Sequence, residues 1–303
     1  MDSKNKTLIC ILGPTAIGKT SLSILLAKYF KTEIISCDSR QFYKEMTIGT
    51  AVPEQEELQD VPHHFIQNRS IIEEYNVGAF ERDALMTLEK LFKKHDQLIM
   101  VGGSGLYIDA VLKGFDKFPK VDQSIRKKLT ERFEKEGIIP LQEELKELDI
   151  KSYNSIDLEN PQRLIRALEI CVGTNLPYSS FKGKTKEKRS FSTIKIGLHG
   201  ERQKMYDRIN LRVDLMIKKG LIEEATRLYP NKNLNALQTV GYKELFLLND
   251  NVYTKEFAVE EIKKNTRRFA KRQLTWFRKD KEIIWFDFEE DSKKIIKMIE
   301  NNL

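Results

Sequence analysis

Eight residues near the start of the chain have the types and spacing of a phosphate-binding loop. They are Gly13, Pro14, Thr15, Ala16, Ile17, Gly18, Lys19 and Thr20, with lysine and threonine directly after the second glycine. The glycines allow backbone conformations in which successive amide groups converge on one anion. Lys19 adds a mobile positive charge, and the Thr20 hydroxyl suits a Mg²⁺ ion already bound to phosphate oxygens. The motif therefore predicts a site for a phosphate compound with Mg²⁺ but leaves the compound open.

This loop lies between two segments that can position it. Residues 7–12 are an apolar run typical of a buried strand. Leu22, Leu25, Leu26 and Tyr29 have the spacing of an amphipathic helix and predict its buried face. A helix that begins at the loop directs the positive end of its dipole toward the bound anion. The context therefore supports the phosphate site over a ligand-free glycine turn.

The remaining apolar pattern predicts the fold. Short apolar runs at 33–36, 98–101 and 194–198 alternate with helix-like segments, which predicts an α/β fold with a mostly parallel sheet flanked by helices. Together with the phosphate-binding loop, these elements predict a P-loop NTPase-like architecture. Residues 119–189 instead have lysine- and glutamate-rich helical patterns and predict an all-helical insertion. We expect 1–118 and 190–303 to form the catalytic core with basic C-terminal helices.

The last helix of the predicted insertion has a recognisable start. Asn160 is a cap residue followed by Pro161 at the first helical position. The apolar pattern of this helix predicts that it buries Leu164, Leu168, Cys171 and Val172.

Two predicted strands are followed by residues that could do chemistry. Residues 37–41 follow one strand and residues 102–105 follow another, and ligands bind at the carboxyl ends of parallel strands. Asp38 could be a magnesium ligand, a general base or a cap of the next turn. No carboxylate directly follows the strand at 98–101, which weakens an interpretation as a nucleotide hydrolase.

The charge balance favours a polyanionic partner. The 303 residues carry a formal net charge of +7. Residues 263–281 contain nine lysines and arginines and one acid, an imbalance that predicts a surface for a phosphate backbone. The segment 182–189 predicts a basic loop. Arg208 and Arg212 lie one helical turn apart beside an apolar face that includes Met205 and Val213.

The cysteines, the histidines and the length of the apolar runs give three further expectations. Cys10, Cys37 and Cys171 are too widely spaced for a zinc or redox motif, so we expect a reducing, cytoplasmic setting. The pair His63 and His64 has no third ligand nearby and predicts loop structure. No apolar run approaches the roughly 20 residues that cross a bilayer, so we expect no membrane association.

The ordered motifs resemble the bacterial tRNA dimethylallyltransferases, also called isopentenylpyrophosphate transferases. Nearly the whole chain takes part, through residues 13–20, 38–44, 48–51, 101–107, 160–169, 239–244 and 270–278. The resemblance implies transfer of a dimethylallyl group from dimethylallyl diphosphate to the exocyclic N6 amine of adenosine 37, next to the anticodon, in tRNAs reading codons that begin with U. The loop and Mg²⁺ would then stabilise a leaving diphosphate.

The resemblance also implies roles for individual residues. Asp38 corresponds to the base that removes the amine proton, and Ser104 and Arg212 flank the reaction centre, with Arg212 on the diphosphate. The positions implied in tRNA contact are Asp38, Ser39, Arg40, Gln41, Ser104, Arg126, Gln162, Arg163, Leu164, Ile165, Arg166, Gln238, Thr239, Val240, Gly241, Tyr242 and Lys243. Among these, we expect the Leu164 and Ile165 side chains to pack.

Three other functions remain open at this point. A transferase acting on free adenine nucleotides would share the diphosphate site without needing an RNA surface. A small-molecule kinase would use the same loop to donate a phosphoryl group. A non-catalytic RNA-binding module would leave Lys19 and Asp38 without a purpose. For the leading interpretation, we expect the partners to be a tRNA anticodon stem-loop and dimethylallyl diphosphate, and the protein to be a monomer.

Overall fold

The computed structural model describes residues 6–116, 118–183 and 188–303. The chain divides into two compact units, Met1–Leu112 with Arg189–Leu303 and Lys113–Lys188. The insertion predicted at 119–189 thus corresponds to a unit that begins a few residues earlier and ends one residue earlier. Four residues of the predicted basic loop, 184–187, lie outside the described residues.

The first unit is built on a parallel sheet, which confirms the predicted α/β, P-loop NTPase-like fold. In the described part of the chain the sheet has six strands in the order β3-β2-β4-β1-β5-β6. The strands are β1 (Thr7–Leu12), β2 (Ile34–Ser36), β3 (His63–His64), β4 (Gln97–Gly102), β5 (Ser192–His199) and β6 (Ile284–Asp287). The strands β3 and β6 were not predicted, because each is short and lies at a sheet edge.

The helices cover both predicted regions. They are α1 (Lys19–Phe30), α2 (Gln55–Asp60), α3 (Val77–Leu91), α4 (Gly105–Lys113), α5 (Gln123–Glu136), α6 (Ile139–Leu148), α7 (Ile150–Tyr153), α8 (Pro161–Thr174), α9 (Arg202–Lys218), α10 (Leu221–Leu228), α11 (Tyr242–Asn249), α12 (Lys255–Phe277) and α13 (Ser292–Glu300). Among the described residues, no helix is both long enough and apolar enough to cross a bilayer.

The central strand places the phosphate-loop motif in the middle of the sheet. Strand β1 is buried throughout and pairs in parallel with β4 on one side and β5 on the other. The ends of β2 and β4 also adjoin, since the Cys37 amide donates to the Val101 carbonyl at 2.7 Å. A Cβ on Gly102 would lie 2.2 Å from the Cys37 carbonyl oxygen, so only glycine permits this approach. The segments 37–41 and 102–105, which were predicted to carry chemistry, are therefore neighbours.

Two sequence predictions about packing were wrong. Leu25 and Tyr29 of α1 are 39% and 50% exposed, whereas Ile24 and Ala27 are buried. Apolar residues occur on several faces of this helix, so periodicity alone could not identify the buried one. The pair His63 and His64 forms β3 rather than a loop, because it pairs with β2 and His64 Nε2 lies 2.7 Å from Glu33 Oε2.

The second unit is helical over its described residues, and α5, α6 and α8 share a core that includes Leu129, Leu145 and Leu168. Helix α8 begins as predicted, with the Asn160 side chain accepting from the Arg163 amide and proline at the first position. Val172 was expected to be buried but is 41% exposed. It lies near the C-terminal end of α8, past the apolar stripe that packs on α5 and α6.

Candidate active site

The phosphate-loop motif forms the connection between β1 and α1. Gly13 has φ +147°, and a Cβ there would lie 2.8 Å from the Leu198 carbonyl oxygen. Gly18 has φ +105° and precedes the first turn of α1, a left-handed conformation that favours glycine. Lys19 Nζ donates to the Pro14 carbonyl at 2.6 Å and so folds back over the loop. The loop therefore has the shape that gathers amide groups and one ammonium around an anion.

A cavity of about 390 Å³ opens above this loop and is called the loop cavity. Its lining includes Thr15, Ala16, Ile17, Gly18, Lys19, Thr20, Ser36, Asp38, Gln41, Arg208, Arg212 and Gln273. The six loop residues and Asp38 were predicted from sequence to lie together, and the sheet topology explains why they do.

Helix α9 brings two arginines to the loop. Arg208 Nε donates to the Ala16 carbonyl at 2.8 Å, and Arg212 Nη1 donates to Thr15 Oγ1 at 3.3 Å. Burial lowers the pKa of Arg212, Asp38 opposes that effect, and Arg208 adds to it. Three cations thus face one carboxylate in the loop cavity, and such an excess of positive charge suits a multiply charged anion.

Lys19 has an unusual protonation equilibrium. Burial lowers the pKa of Lys19 to about 7, against the opposing influence of Asp38, while Arg212 lowers it further. A phosphate anion beside the amine favours the charged form and raises this pKa again. Above about pH 7, anion binding must therefore be accompanied by proton uptake.

This coupling gives a measurable pH dependence. We expect diphosphate binding to take up close to one more proton at about pH 8 than at about pH 6, and its affinity to fall as pH rises above 7. Calorimetry in buffers of different ionisation enthalpy measures the proton count. Lys19→Met should remove the difference between the two pH values; a difference that persists in this variant would assign the proton to another group.

The carboxyl ends of β2 and β4 place Asp38 and Ser104 together. Asp38 Oδ1 accepts from the Arg40 amide at 3.0 Å, so the carboxylate does cap the turn, and its second oxygen can serve another role. Ser104 Oγ accepts from the Ser39 amide at 3.1 Å and donates to Ser39 Oγ at 3.1 Å. Ser104 therefore holds the turn that carries Asp38.

A second cavity of about 410 Å³ adjoins the loop cavity. The two share the lining residues Thr15, Asp38, Arg212 and Phe269. The predicted RNA-contacting residues that line the second cavity are Asp38, Ser39, Arg40, Ser104, Gln238, Thr239, Val240, Gly241 and Lys243. Asp38 and Arg212 thus lie where a ligand of the loop could meet a ligand of the second cavity.

Some predicted RNA-contacting side chains point elsewhere. The Tyr242 side chain is buried and its hydroxyl donates to Glu224 Oε1 at 2.7 Å, which corrects the expectation of a side-chain contact there. In the second unit, Leu164 and Ile165 are buried in its core, as their apolar character requires. Gln41 donates through Nε2 to the Ala51 carbonyl at 2.9 Å and lines the loop cavity.

The polar residues predicted on α5 and α8 form one cluster. Arg126 and Arg166 each donate to Glu169 Oε2, at 3.1 and 3.0 Å, and Arg126 Nη2 donates to Gln162 Oε1 at 2.9 Å. Glu169 is nearly buried, whereas both arginines stay about 40% exposed. Arg163 is also exposed. The second unit therefore presents three exposed arginines, and Glu169 holds two of them, Arg126 and Arg166, in place.

Sequence reasoning missed Gln273 on α12. Its Oε1 accepts from the Thr15 amide at 2.9 Å and its Nε2 donates to the Gly103 carbonyl at 2.9 Å, and the residue is buried. A Cβ on Gly103 would lie 2.2 Å from Nε2. Gln273 thus joins the phosphate loop to the end of β4. The signal was only a glutamine within a run of cations, 258 positions from its partner Thr15.

Replacing Gln273 with methionine keeps its length but removes both backbone hydrogen bonds. We expect KM for the diphosphate substrate to rise about 5- to 30-fold, with RNA affinity unchanged. Steady-state kinetics and an RNA-binding assay separate the two effects. Gln203→Met, on the exposed side of α9, is the matched control and should behave like the wild type. Equal losses in diphosphate use and RNA binding would indicate a general structural defect instead.

The loop cavity contains oxygen-bearing side chains that could bind Mg²⁺. The carboxylate of Asp38 and the hydroxyl of Thr20 both line this cavity, and the described residues contain no group of three histidine, cysteine or acidic side chains that could hold a metal. Mg²⁺ is commonly held by one or two protein oxygens together with substrate phosphates and water. The residues present fit that mode and not an all-protein cage.

Comparisons with known proteins agree with this geometry. The family model described as IPP transferase matches residues 41–280. The chain is 59% identical over 302 residues to the tRNA dimethylallyltransferase of Flavobacterium psychrophilum and 60% identical over 296 residues to that of Christiangramia forsetii, and each match covers 98% of both chains.

Solved structures are also similar to this one. The full-length tRNA isopentenylpyrophosphate transferase from Bacillus halodurans superposes with a TM-score of 0.72 at 38% identity, over 98% of this chain and 95% of that chain. A eukaryotic dimethylallyltransferase acting on tRNA has a TM-score of 0.81 at 27% identity, over 98% of this chain and 80% of that chain. From its sequence, its fold and the geometry of its site, this chain belongs to the IPP transferase family.

Proposed function

We propose that this protein transfers a dimethylallyl group from dimethylallyl diphosphate to the N6 amine of adenosine 37 in tRNAs that read codons beginning with U. The observation that carries the proposal is that Asp38 and Arg212 line both cavities. The loop cavity suits a diphosphate, and the second cavity is lined by the residues expected to contact RNA. A group held on the loop can therefore meet an adenine at this junction.

The transfer needs no redox partner. The N6 nitrogen attacks C1 of the allylic group, the C1–O bond breaks with its electron pair leaving on the diphosphate, and the new C1–N6 bond remains on the tRNA. Asp38 takes the proton that N6 loses, which matters because the lone pair of that amine is delocalised into the purine. The products are the modified tRNA and free diphosphate.

The loop residues stabilise the leaving diphosphate. Its negative charge grows as C1–O lengthens, and preorganised amides, Lys19 and Arg212 are donors suited to that charge. The guanidinium of Arg212 can donate two hydrogen bonds to one phosphate group. Mg²⁺, which we propose is held by Thr20 together with the phosphate oxygens, would supply further positive charge to the diphosphate. This use of the loop transfers no phosphoryl group, which distinguishes it from a kinase.

Apolar side chains at the rim of the loop cavity suit the hydrocarbon part of the donor. Leu211, Leu215 and Phe269 line the cavity and are 60%, 47% and 38% exposed. Large exposed apolar side chains beside a cationic site are typical of a ligand with both a charged and an apolar part. The rim therefore favours an allylic diphosphate over a purely polar phosphate compound.

Helix α12 supports an RNA substrate over a free nucleotide. Lys263 lies 2.9 Å from Asp214, Lys264 lies 2.6 Å from Glu261, and Arg267 donates to Asn210, so the first part of the basic run is engaged within the protein. Arg268 and Lys271 are exposed. They present positive charge at the surface of the helix and suit a phosphate backbone.

Neutralising these exposed cations should change the salt dependence of tRNA binding. For Arg268→Gln with Lys271→Gln, we expect the slope of log affinity against log salt to fall by about 0.7 to 0.9 for each phosphate that the variant no longer neutralises. Lys263→Gln with Lys264→Gln is the control on the same helix and should change the slope less, since both lysines are already paired. An equal change in both variants would move the RNA surface away from Arg268 and Lys271.

The reaction itself is tested by mass spectrometry of an unmodified tRNA before and after incubation with the protein, dimethylallyl diphosphate and Mg²⁺. We expect one added dimethylallyl group on the adenosine next to the anticodon. A parallel incubation with AMP should give no product at comparable concentration. Prenylated AMP with unmodified tRNA would instead indicate a transferase of free nucleotides, and phosphate transfer from ATP would indicate a kinase.

A further inference from the structure

A third cavity lies beside the reaction centre and has no role in the proposed function. Its volume is about 570 Å³. Residues Ile48, Val52 and Leu58 line the third cavity and neither of the other two. A cavity of this volume has room for more than a few carbon atoms.

Seven of the thirteen residues that line the third cavity are apolar, and six are polar or charged. Its polar lining residues largely bond within the protein, since Lys219 forms an ion pair with Glu54 and Gln67 Nε2 donates to Thr47 Oγ1 at 2.8 Å. The remaining surface is mainly that of Ile48, Val52 and Leu58 with their apolar neighbours. A cavity whose polar groups are satisfied and whose other walls are hydrocarbon favours a hydrocarbon ligand.

The three cavities meet at one residue. Arg212 lines all three, and Ala51, Pro53 and Leu215 border both the loop cavity and the third cavity. The reacting carbon of an allylic diphosphate has three directions to satisfy, toward the departing oxygen, the incoming amine and the rest of the hydrocarbon chain. The loop cavity suits the departing oxygen, and the second cavity suits the incoming amine. Because Leu215 borders both the loop cavity and the third cavity, the third cavity suits the hydrocarbon chain.

We propose that the third cavity holds the hydrocarbon tail of allylic diphosphates longer than five carbons, so that a ten-carbon donor is also a substrate. This proposal rests on the proposed function, because it needs the diphosphate on the loop. The chemical step is the same as with the five-carbon donor. The C1–O bond breaks with diphosphate leaving, the C1–N6 bond forms, and the N6 proton goes to Asp38.

Calorimetry with dimethylallyl diphosphate and geranyl diphosphate tests the binding part. Burial of five further carbons should strengthen binding of geranyl diphosphate at least about tenfold relative to the shorter donor, after the cost of ordering the chain. Val52→Phe and Leu58→Phe fill the third cavity from two different elements and should each remove that gain. Both should leave the affinity for dimethylallyl diphosphate within about twofold, since neither residue lines the loop cavity.

Val252→Phe is the matched control, because Val252 is 64% exposed and lies outside all three cavities. It should keep the preference for the longer chain. The same four proteins are then assayed for transfer to tRNA, where a geranyl product is expected from the wild type and the control. Thermal melting confirms that each variant is folded.

The outcomes separate the two proposals. Absence of dimethylallyl transfer by the wild type would contradict the proposed function. Dimethylallyl transfer with weaker binding and no transfer of the geranyl group would overturn the tail site alone. Geranyl binding that both filling variants leave unchanged would also overturn it, because the chain would then lie elsewhere.

Discussion

Asp38→Asn is expected to reduce turnover about 100- to 10,000-fold while tRNA affinity changes little. Asparagine keeps the size of the side chain and its oxygen can still accept from the Arg40 amide, so the turn after β2 is preserved. What the variant loses is a group that can accept the N6 proton. Single-turnover kinetics with saturating tRNA and diphosphate measure the chemical step, and a separate tRNA titration measures affinity.

The matched control is Asp207→Asn, an exposed carboxylate one residue before Arg208 and outside the three cavities. It removes the same charge near the site and should keep nearly full activity. If Asp38→Asn instead lowered affinity and turnover by the same factor, Asp38 would act in binding or structure. If turnover stayed at the wild-type level, another group would be the base.

Lys19→Met should lower kcat/KM for the diphosphate substrate about 100- to 1,000-fold, similar to the loss of one donor from a preorganised anion site. The methionine side chain has nearly the length of lysine and lacks its charge. RNA affinity should be unchanged, because Lys19 lines the loop cavity and not the second cavity. Initial rates at varied donor concentration and a tRNA titration provide the two measurements.

Lys28→Met serves as the control on the same helix. Lys28 is half exposed and pairs with Asp60 at 2.7 Å, away from the loop cavity. The kinetics of this variant should match those of the wild type. Unchanged kinetics in Lys19→Met would remove Lys19 from the mechanism, and an equal loss in both variants would point to a general effect on α1.

The features that sequence predicted well are local ones. The phosphate loop could be recognised because its chemistry depends on consecutive backbone amides and on the two residues after Gly18. The start of α8 could be placed at Asn160 because a cap and its partner amide are three positions apart. The strands β1, β4 and β5 were visible as apolar runs because both faces of a parallel sheet are buried. Resemblance across the ordered motifs extended these local signals to a family.

Other features depend on contacts that no local pattern encodes. The buried face of α1 was mispredicted because several of its faces are apolar, and only the neighbouring sheet selects among them. Tyr242 has the sequence context of an RNA-contacting residue, yet packing turns its hydroxyl toward Glu224. Gln273 could not be assigned, since its partners Thr15 and Gly103 are distant in the chain.

The amino-acid sequence by itself determined that the chain has a phosphate-binding motif on a strand–loop–helix unit, because that motif consists of neighbouring residues. It also determined the family, because the motifs occur in order. Only the tertiary structure decided which side chains surround the loop. Arg208 and Arg212 reach the loop from α9, Gln273 reaches it from α12, and three cavities meet at Arg212. These positions follow from how helices pack on the sheet, and packing joins residues whose separation in sequence carries no signal.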